Sequence, residues 1–340
     1  MVESPATVSE VLFGCSWQTT FERIEGRGSV IITDHNIDRI YGALFPKGVP
    51  VIAVKPGEES KSISTIEDIV SQMVSIGIDR EGFVLGIGGG VVCDIAGFVA
   101  SVYMRGVEFG FISTSLLSQV DASTGGKNGI NVSGSKNVIG LFNQPRFVIC
   151  DSAMLKTLPE SEYFQGLSEL LKAALIADRE LLETIISLSG QLSSADLSPI
   201  DDLVFRAVEI KASVVTRDER EHGVRRILNF GHTFGHAAEL CYNIPHGNAV
   251  AWGMLAAIKF SRSEGYLSGE DSETLAGLIE SLNILPDKSI DVDRVADRIQ
   301  YDKKRSGEGI HFVFLRSPGE AFTRLVSISD LALFLRSFKL

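Results

Sequence analysis

GFVLGIGGGVVCDIAGFVA, residues 82–100, carries the reading of the chain. Phe83 to Ile87 is a short apolar run bounded by glycine, the pattern of a strand buried on both faces. Gly88-Gly89-Gly90 ends it, and Val91 to Ala100 continues as a helix with Asp94 one turn in. A strand passing through glycines into a helix belongs to a parallel α/β sheet. The first N–H groups of such a helix lack intrahelical partners, so backbone and helix end together offer an anion site. The spacing is not the dinucleotide fingerprint G-x-G-x-x-G: its last position is Val91 counted from Gly86 and Cys93 counted from Gly88.

Outward from this stretch the texture repeats. GSVIITD (28–34), VPVIAVK (49–55), FGFIST (109–114) and RFVICD (146–151) read as further buried strands, with helical patterns at 37–45 and 64–77. After Leu158-Pro159 the texture changes. Helical spacing covers 160–192, 200–218, 232–243, 246–264, 271–283 and 291–302, and only GIHFVFL (309–315) and EAFTRLV (320–326) read as strands, split by Ser-Pro-Gly. The expected fold is an α/β N-terminal domain with a parallel, Rossmann-like sheet over 1–157, followed by a mostly α-helical C-terminal domain over 158–340.

Composition excludes several classes. The 340 residues are 44% hydrophobic and 22% charged, which is globular, and a net charge of −11 argues against a nucleic-acid partner. Any cations that bind an anionic ligand must therefore be gathered locally. Cys15, Cys93, Cys150 and Cys241 are scattered, as expected of small buried thiols in a reduced compartment. No apolar run approaches the roughly 20 residues of a membrane helix. MVESPATVSE lacks the basic and apolar regions of a secretory signal, so the expectation is a cytoplasmic protein without a membrane partner.

Two polar constellations stand out. Asp121, Lys127, Lys136 and Asn137 lie in a Gly- and Ser-rich stretch, with Arg105 nearby in sequence. Cations set among apolar strands need partners, and a phosphate or carboxylate supplies one. The second constellation is RRILNFGHTFGHAAE (225–239) followed by HGNAV (246–250), which places three of the six histidines within fifteen residues. Imidazoles suit zinc, and a carboxylate such as Glu169, with Lys172 one turn on, completes a catalytic set with an open position. Spacing leaves open which two histidines bind; the i, i+4 pair His232 and His236 is the geometric choice.

In their order along the chain, GGGVVCDIAGFVASVYMRG (88–106), TSLLSQVDASTGGKNGIN (114–131), KNVIGLFNQP (136–145), GLSELLK (166–172), LNFGHTFGHAAE (228–239), HGNAV and YDKK (301–304) resemble the 3-dehydroquinate synthase family of sugar-phosphate cyclases, over roughly residues 28–315. The resemblance implies NAD in the first domain, zinc (or Co2+) in the second, a homodimer and a sugar-phosphate substrate. It assigns the metal to Glu169, His232 and His246, which turns His236 from ligand to substrate contact. It assigns NAD to Asp34, Asn36, Glu58, Lys61, Gly89, Gly90, Val91, Asp94, Thr114, Ser115, Asp121, Lys127, Lys136 and Thr157. Substrate contacts carry over to Lys127, Asn137, Lys172, Lys211, Arg225, Asn229, His236 and Lys303 or Lys304, with Arg105 reaching the neighbouring subunit's substrate.

The implied reaction converts 3-deoxy-D-arabino-heptulosonate 7-phosphate to 3-dehydroquinate and phosphate, in the shikimate pathway. It runs by transient oxidation at C5, β-elimination of phosphate, re-reduction and an intramolecular aldol step. A sister cyclase of the deoxyinosose or valiolone type, and a metal-dependent polyol dehydrogenase, are the alternatives. Two departures from the family pattern are Asn248, where it usually has Glu beside the metal histidine, and Asn128, where Thr is common; both keep a polar group, so activity is expected to survive.

Overall fold

The computed structural model describes residues 8–306 and 309–337. The chain divides into two compact units, Met1–Leu158 and Pro159–Leu340.

The first unit contains β1 (Glu10–Phe13), β2 (Ser29–Asp34), α1 (His35–Tyr41), β3 (Val51–Val54), α2 (Ile63–Ile76), β4 (Phe83–Gly88), α3 (Gly90–Val102), β5 (Glu108–Ser113), β6 (Lys127–Val132), β7 (Ser135–Phe142) and β8 (Phe147–Cys150). Six strands form one parallel sheet in the order β1-β8-β5-β4-β2-β3. Phe83, Leu85 and Ile87 alternate to one face of central β4 and join Trp17, Ile31, Ile112, Phe147 and Ile149 in a buried core. Each such side chain contributes roughly 1.5–3 kcal/mol by leaving water. α3 is buried from Val92 to Ala100 apart from Asp94; Gly90 and Val91, in its first turn, are half-buried like Asp94.

The five expected strands all form. Two features were not expected. β1 is only four residues long and partly exposed, too short for a periodic signal. The Gly- and Ser-rich stretch folds as an antiparallel hairpin, β6 with β7, turning at Ser133 and Gly134, both with positive φ. Gly129 opposes Gly140 in its register, and glycine in strand interiors erases the sequence signal of a strand.

The second unit contains α4 (Glu160–Ala177), α5 (Arg179–Ser187), α6 (Ser189–Leu192), α7 (Ile200–Arg217), α8 (His232–Tyr242), α9 (His246–Ser263), α10 (Gly269–Ser281), α11 (Val292–Ser306), β9 (Gly309–Ser317), β10 (Glu320–Ser327) and α12 (Ile328–Ser337). The helical pattern over 160–192 is three helices: Asp178 leaves helical geometry and caps α5 by accepting the Leu181 N–H (2.9 Å), and Leu188 separates α5 from α6. α9 is buried along nearly its whole length. Phe234, Phe260, Phe312 and Phe334 pack ring against ring between helices and hairpin, with Phe260 and Phe334 4.3 Å apart at their centroids. No described helix is long and apolar enough to cross a membrane. Of the four free cysteines, Cys93 and Cys150 are buried and their thiols pushed far up by burial, while Cys15 and Cys241 are half-buried, against the expectation that all four are core residues.

Candidate active site

In the first unit the sheet's C-terminal strand ends carry the expected nucleotide residues. β2 ends at Asp34, whose Oδ1 accepts the N–H groups of Asn36 (2.8 Å) and Ile37 (3.1 Å) and so starts α1. β4 ends in the glycine turn. Gly89 caps α3 without any side-chain bond, so the half-buried first turn, Gly90 and Val91, presents backbone to the surroundings. That end suits a pyrophosphate. Thr114 follows β5, its N–H donating to the Gly88 carbonyl (3.0 Å), and Ser115 turns its hydroxyl to Ser118 (3.1 Å).

Lys61, itself buried, is the centre of a polar knot at the surface. Its ammonium donates to Asp94 Oδ2 (2.6 Å) and Asn137 Oδ1 (2.5 Å) and lies 3.6 Å from Glu58 Oε1. Asn131 ties Glu58 in (2.8 Å) and accepts the Asn137 N–H (2.8 Å). Asn137, which the resemblance gives to the substrate, is here bonded to Lys61, which it gives to NAD, and is held at a positive φ of 52°. Asp121 is half-buried in the irregular helical turn Ser118–Ala122, and Lys127 and Lys136 are exposed on β6 and β7. Thr157 is exposed, 2.8 Å from the Tyr41 hydroxyl. Arg105 stands in a turn where both it and Met104 adopt positive φ (72° and 47°).

The second unit builds a tighter centre. α4 carries Glu169 and Lys172 on one face, both nearly fully buried, and their side chains form a close ion pair. α8 begins at His232 and α9 at His246. The two Nε2 atoms lie 3.7 and 3.5 Å from the same oxygen, Glu169 Oε1. Their other nitrogens are pinned: His232 Nδ1 on the Phe230 carbonyl (3.2 Å), His246 Nδ1 on Glu239 (3.1 Å). Both Glu169 oxygens are buried; Oε2 meets the Lys172 ammonium, and Oε1 faces only the two imidazoles. A buried carboxylate oxygen that accepts no hydrogen bond is costly. Tetrahedral zinc, with bonds of about 2.0–2.1 Å, sets its ligand atoms about 3.4 Å apart, close to the separations here. The residues therefore fit a zinc-like cation. His236, exposed one turn after His232, brings a third imidazole; one nitrogen of each histidine lies within 4.8 Å of the others.

The electrostatics follow from these contacts. Burial alone raises the Glu169 carboxyl, but the Lys172 ammonium and both imidazoles hold it well below its usual range. His232 is pushed down to about 3, first by burial and then by Lys172, so it is a neutral imidazole. Burial lowers His246 too, yet Glu169 and Glu239 more than offset it and raise it to about 9.

α4 also packs on α7 and on the turn Val224–Asn229, which carry the buried Lys211 and Arg225. Asp218 shapes that turn by accepting N–H groups from Arg225 (3.0 Å), Gly223 (2.7 Å) and His222 (2.9 Å), which lower its carboxyl below the usual range. Arg225 donates to the Glu219 carbonyl and Asn229 to Glu221. Lys303 and Lys304 lie on α11, where their side chains fall outside the described residues.

Sequence reasoning missed three residues here: Glu239, Gln165 and Asp218. Glu239 had a signal, since positions 232, 236 and 239 share a helical face. Asp218 and Gln165 had none. Asn248 does not address His246 at all: its Nδ2 donates to the carbonyls of Ile284 (2.8 Å) and Leu285 (3.3 Å), and Glu239 supplies the carboxylate behind the imidazole. Asn128 is structural, donating to the Gly126 (3.1 Å) and Asn143 (2.9 Å) carbonyls and so closing the hairpin.

Residues 51–165 match the 3-dehydroquinate synthase N-terminal family model and residues 166–305 the 3-dehydroquinate synthase C-terminal model. A 3-dehydroquinate synthase from Solibacter usitatus is 42% identical over 279 residues, covering 80% of this chain and 78% of that protein. Among solved structures, a 2-epi-5-epi-valiolone synthase from Streptomyces hygroscopicus subsp. jinggangensis 5008, with NAD+ and Zn2+ bound, superposes with a TM-score of 0.86 at 24% identity, over 99% of this chain and 98% of that one. A 2-deoxy-scyllo-inosose synthase complexed with carbaglucose-6-phosphate, NAD+ and Co2+ gives a TM-score of 0.83 at 24% identity, over 97% and 96%. At that identity the two structures speak for the fold alone, whereas the sequence matches run through both units, and on them the chain belongs to the 3-dehydroquinate synthase family.

Proposed function

We propose that this chain is a phosphate-eliminating lyase that converts 3-deoxy-D-arabino-heptulosonate 7-phosphate to 3-dehydroquinate, working as a cytoplasmic homodimer. The observation that carries the reading is the buried Glu169 carboxylate, held by Lys172 on Oε2 and faced on Oε1 by two oriented imidazoles. Glu169, His232 and His246 would hold zinc; the first unit's glycine turn, Asp34, Asn36, Glu58, Lys61 and Asp94 would hold NAD. When bound, zinc acidifies the substrate hydroxyl to be oxidised and NAD accepts the hydride.

The chain's own residues supply binding and charge. Lys211 and Arg225, gathered in a protein of net charge −11, suit the substrate's carboxylate and phosphate. Asn229 offers an amide to a hydroxyl. His236, exposed beside the centre, suits a phosphate contact. Lys172 keeps Glu169 ionised and so ready as a ligand.

The decisive assay is phosphate release from the heptulosonate phosphate with zinc and a catalytic amount of NAD. Turnover of a deoxyinosose or valiolone synthase substrate instead, or stoichiometric NADH accumulation, would overturn the assignment. Lys127→Ala is expected to lose about 10–100-fold in kcat/KM, the worth of one charged hydrogen bond, with zinc content unchanged. Zinc loss in that variant would argue against a substrate role. The paired positive φ values at Met104 and Arg105 cost energy that a surface turn has no need of, which supports a functional role for Arg105; the resemblance puts that role across the dimer. Arg105→Ala mixed with His246→Ala is then expected to recover activity at about a quarter of the sites, since half the dimers are mixed and each has one complete site. No recovery in mixed dimers removes the cross-subunit role.

A further inference from the structure

Between α4 and α9 lies a pair of amide side chains that the proposed chemistry does not use. Gln165 is 5% exposed and sits one helical turn before Glu169, on the same face of α4. Its Oε1 accepts the backbone N–H of Gly247, the residue after His246. Its Nε2 donates to Asn248 Oδ1 (3.1 Å), and Asn248 Nδ2 in turn holds the carbonyls of Ile284 and Leu285.

The first turn of α9 needs such a partner. Its N-cap is Pro245, which has no capping side chain, so its leading N–H groups must find acceptors elsewhere. Gln165 caps the helix from outside. The approach is close: a Cβ at Gly247 would stand 2.5 Å from the Gln165 Cα and backbone oxygen. One side chain thus joins the helix bearing Glu169 to the first turn of the helix bearing His246, at the residues adjoining both.

We propose that Gln165, braced by Asn248, is a positioning residue that fixes the spacing between Glu169 and His246 and so sets the affinity for the divalent metal. The proposal rests on the ligand set proposed above. Asn248 then has a definite role: where the family pattern has a carboxylate, this chain has an amide that accepts from Gln165 and donates to a neighbouring loop at once. A carboxylate has no proton to donate to those carbonyls.

The test is a titration of metal-free, full-length protein with Co2+, read by chelator competition and by the visible absorption of the bound ion. Gln165→Met keeps the length of the side chain and removes both hydrogen bonds. It is expected to raise the Co2+ Kd about 10–100-fold and to alter the absorption band, as loss of outer hydrogen-bond partners does at metal centres. Leu275→Ala, a core truncation in α10, controls for general loss of stability and is expected to leave the Kd unchanged. A folded Gln165→Met with wild-type Kd and spectrum overturns the proposal, as does an equal Kd change in Leu275→Ala. Should Gln165→Met not fold, Asn248→Ala decides: the Kd rises if the brace matters, and a wild-type Kd refutes it. His246→Ala separates the two levels. If it keeps the metal, the ligand set is wrong; if it loses the metal while Gln165→Met keeps full affinity, only the positioning role falls.

Discussion

His246→Ala is expected to lose stoichiometric zinc and nearly all turnover while the metal-free fold survives. Zinc centres of four ligands are worth roughly 10–16 kcal/mol, so one ligand carries about 3–4 kcal/mol, or a loss of about 10²–10³ in affinity. The fold is spared because the charge left behind is already balanced. Glu169 keeps its ion pair with Lys172, and Glu239, only partly buried, can take water in place of the imidazole. Removing Lys172 instead would leave a buried carboxylate alone, a change that costs about 3–5 kcal/mol where it has been measured. Lys172→Met is therefore the contrasting variant: unstable without metal and recovered by zinc. Metal analysis and thermal unfolding with and without zinc read both. Unchanged zinc content in His246→Ala would remove it from the ligand set.

The fold was readable where physics writes a period into the sequence. Buried parallel strands are continuous apolar runs, and each of the five expected ones forms. The hairpin Lys127–Phe142 was not readable as strands, because glycines oppose one another within it and its lysines and asparagines break the apolar alternation of a pleat. The site divides in the same way. Spacing identified His232 and His236 as sharing a face, which they do, but a helix surface says nothing about what the next helix brings. That His246 aims its Nε2 at the same carboxylate oxygen as His232 depends on how α9 starts against α4, and so on Gln165. Hydrogen bonds between side chains eighty residues apart leave no periodic trace. Glu239 was the recoverable omission, since its place on the His232 face follows from counting alone.

The packing that makes this convergence possible predicts the second large effect. In α9, Gly253 faces the start of α8: a Cβ there would lie 2.0 Å from the Gly231 carbonyl oxygen and 2.7 Å from the Gly235 nitrogen. Both obstacles are backbone, which cannot swing aside as a side chain can. Gly231 itself holds φ at 79° and forms the N-cap of α8, so the contact sits one residue from His232. Gly253→Ala must push α8 and α9 apart. Overpacking of this kind costs about 1–3 kcal/mol and more when backbone has to move, so about 3 kcal/mol is expected here, or a fall in Tm of roughly 6–12 °C for a unit of this size. The same displacement moves His232 away from Glu169, so zinc affinity falls together with stability. Gly277→Ala is the matched comparison. Gly277 lies exposed within α10 with nothing within 4 Å of its added Cβ, and alanine there is expected to stabilise by about 0.5–1 kcal/mol. If Gly253→Ala instead unfolds at the wild-type temperature and binds zinc as tightly, the close helix contact does not hold the metal centre together.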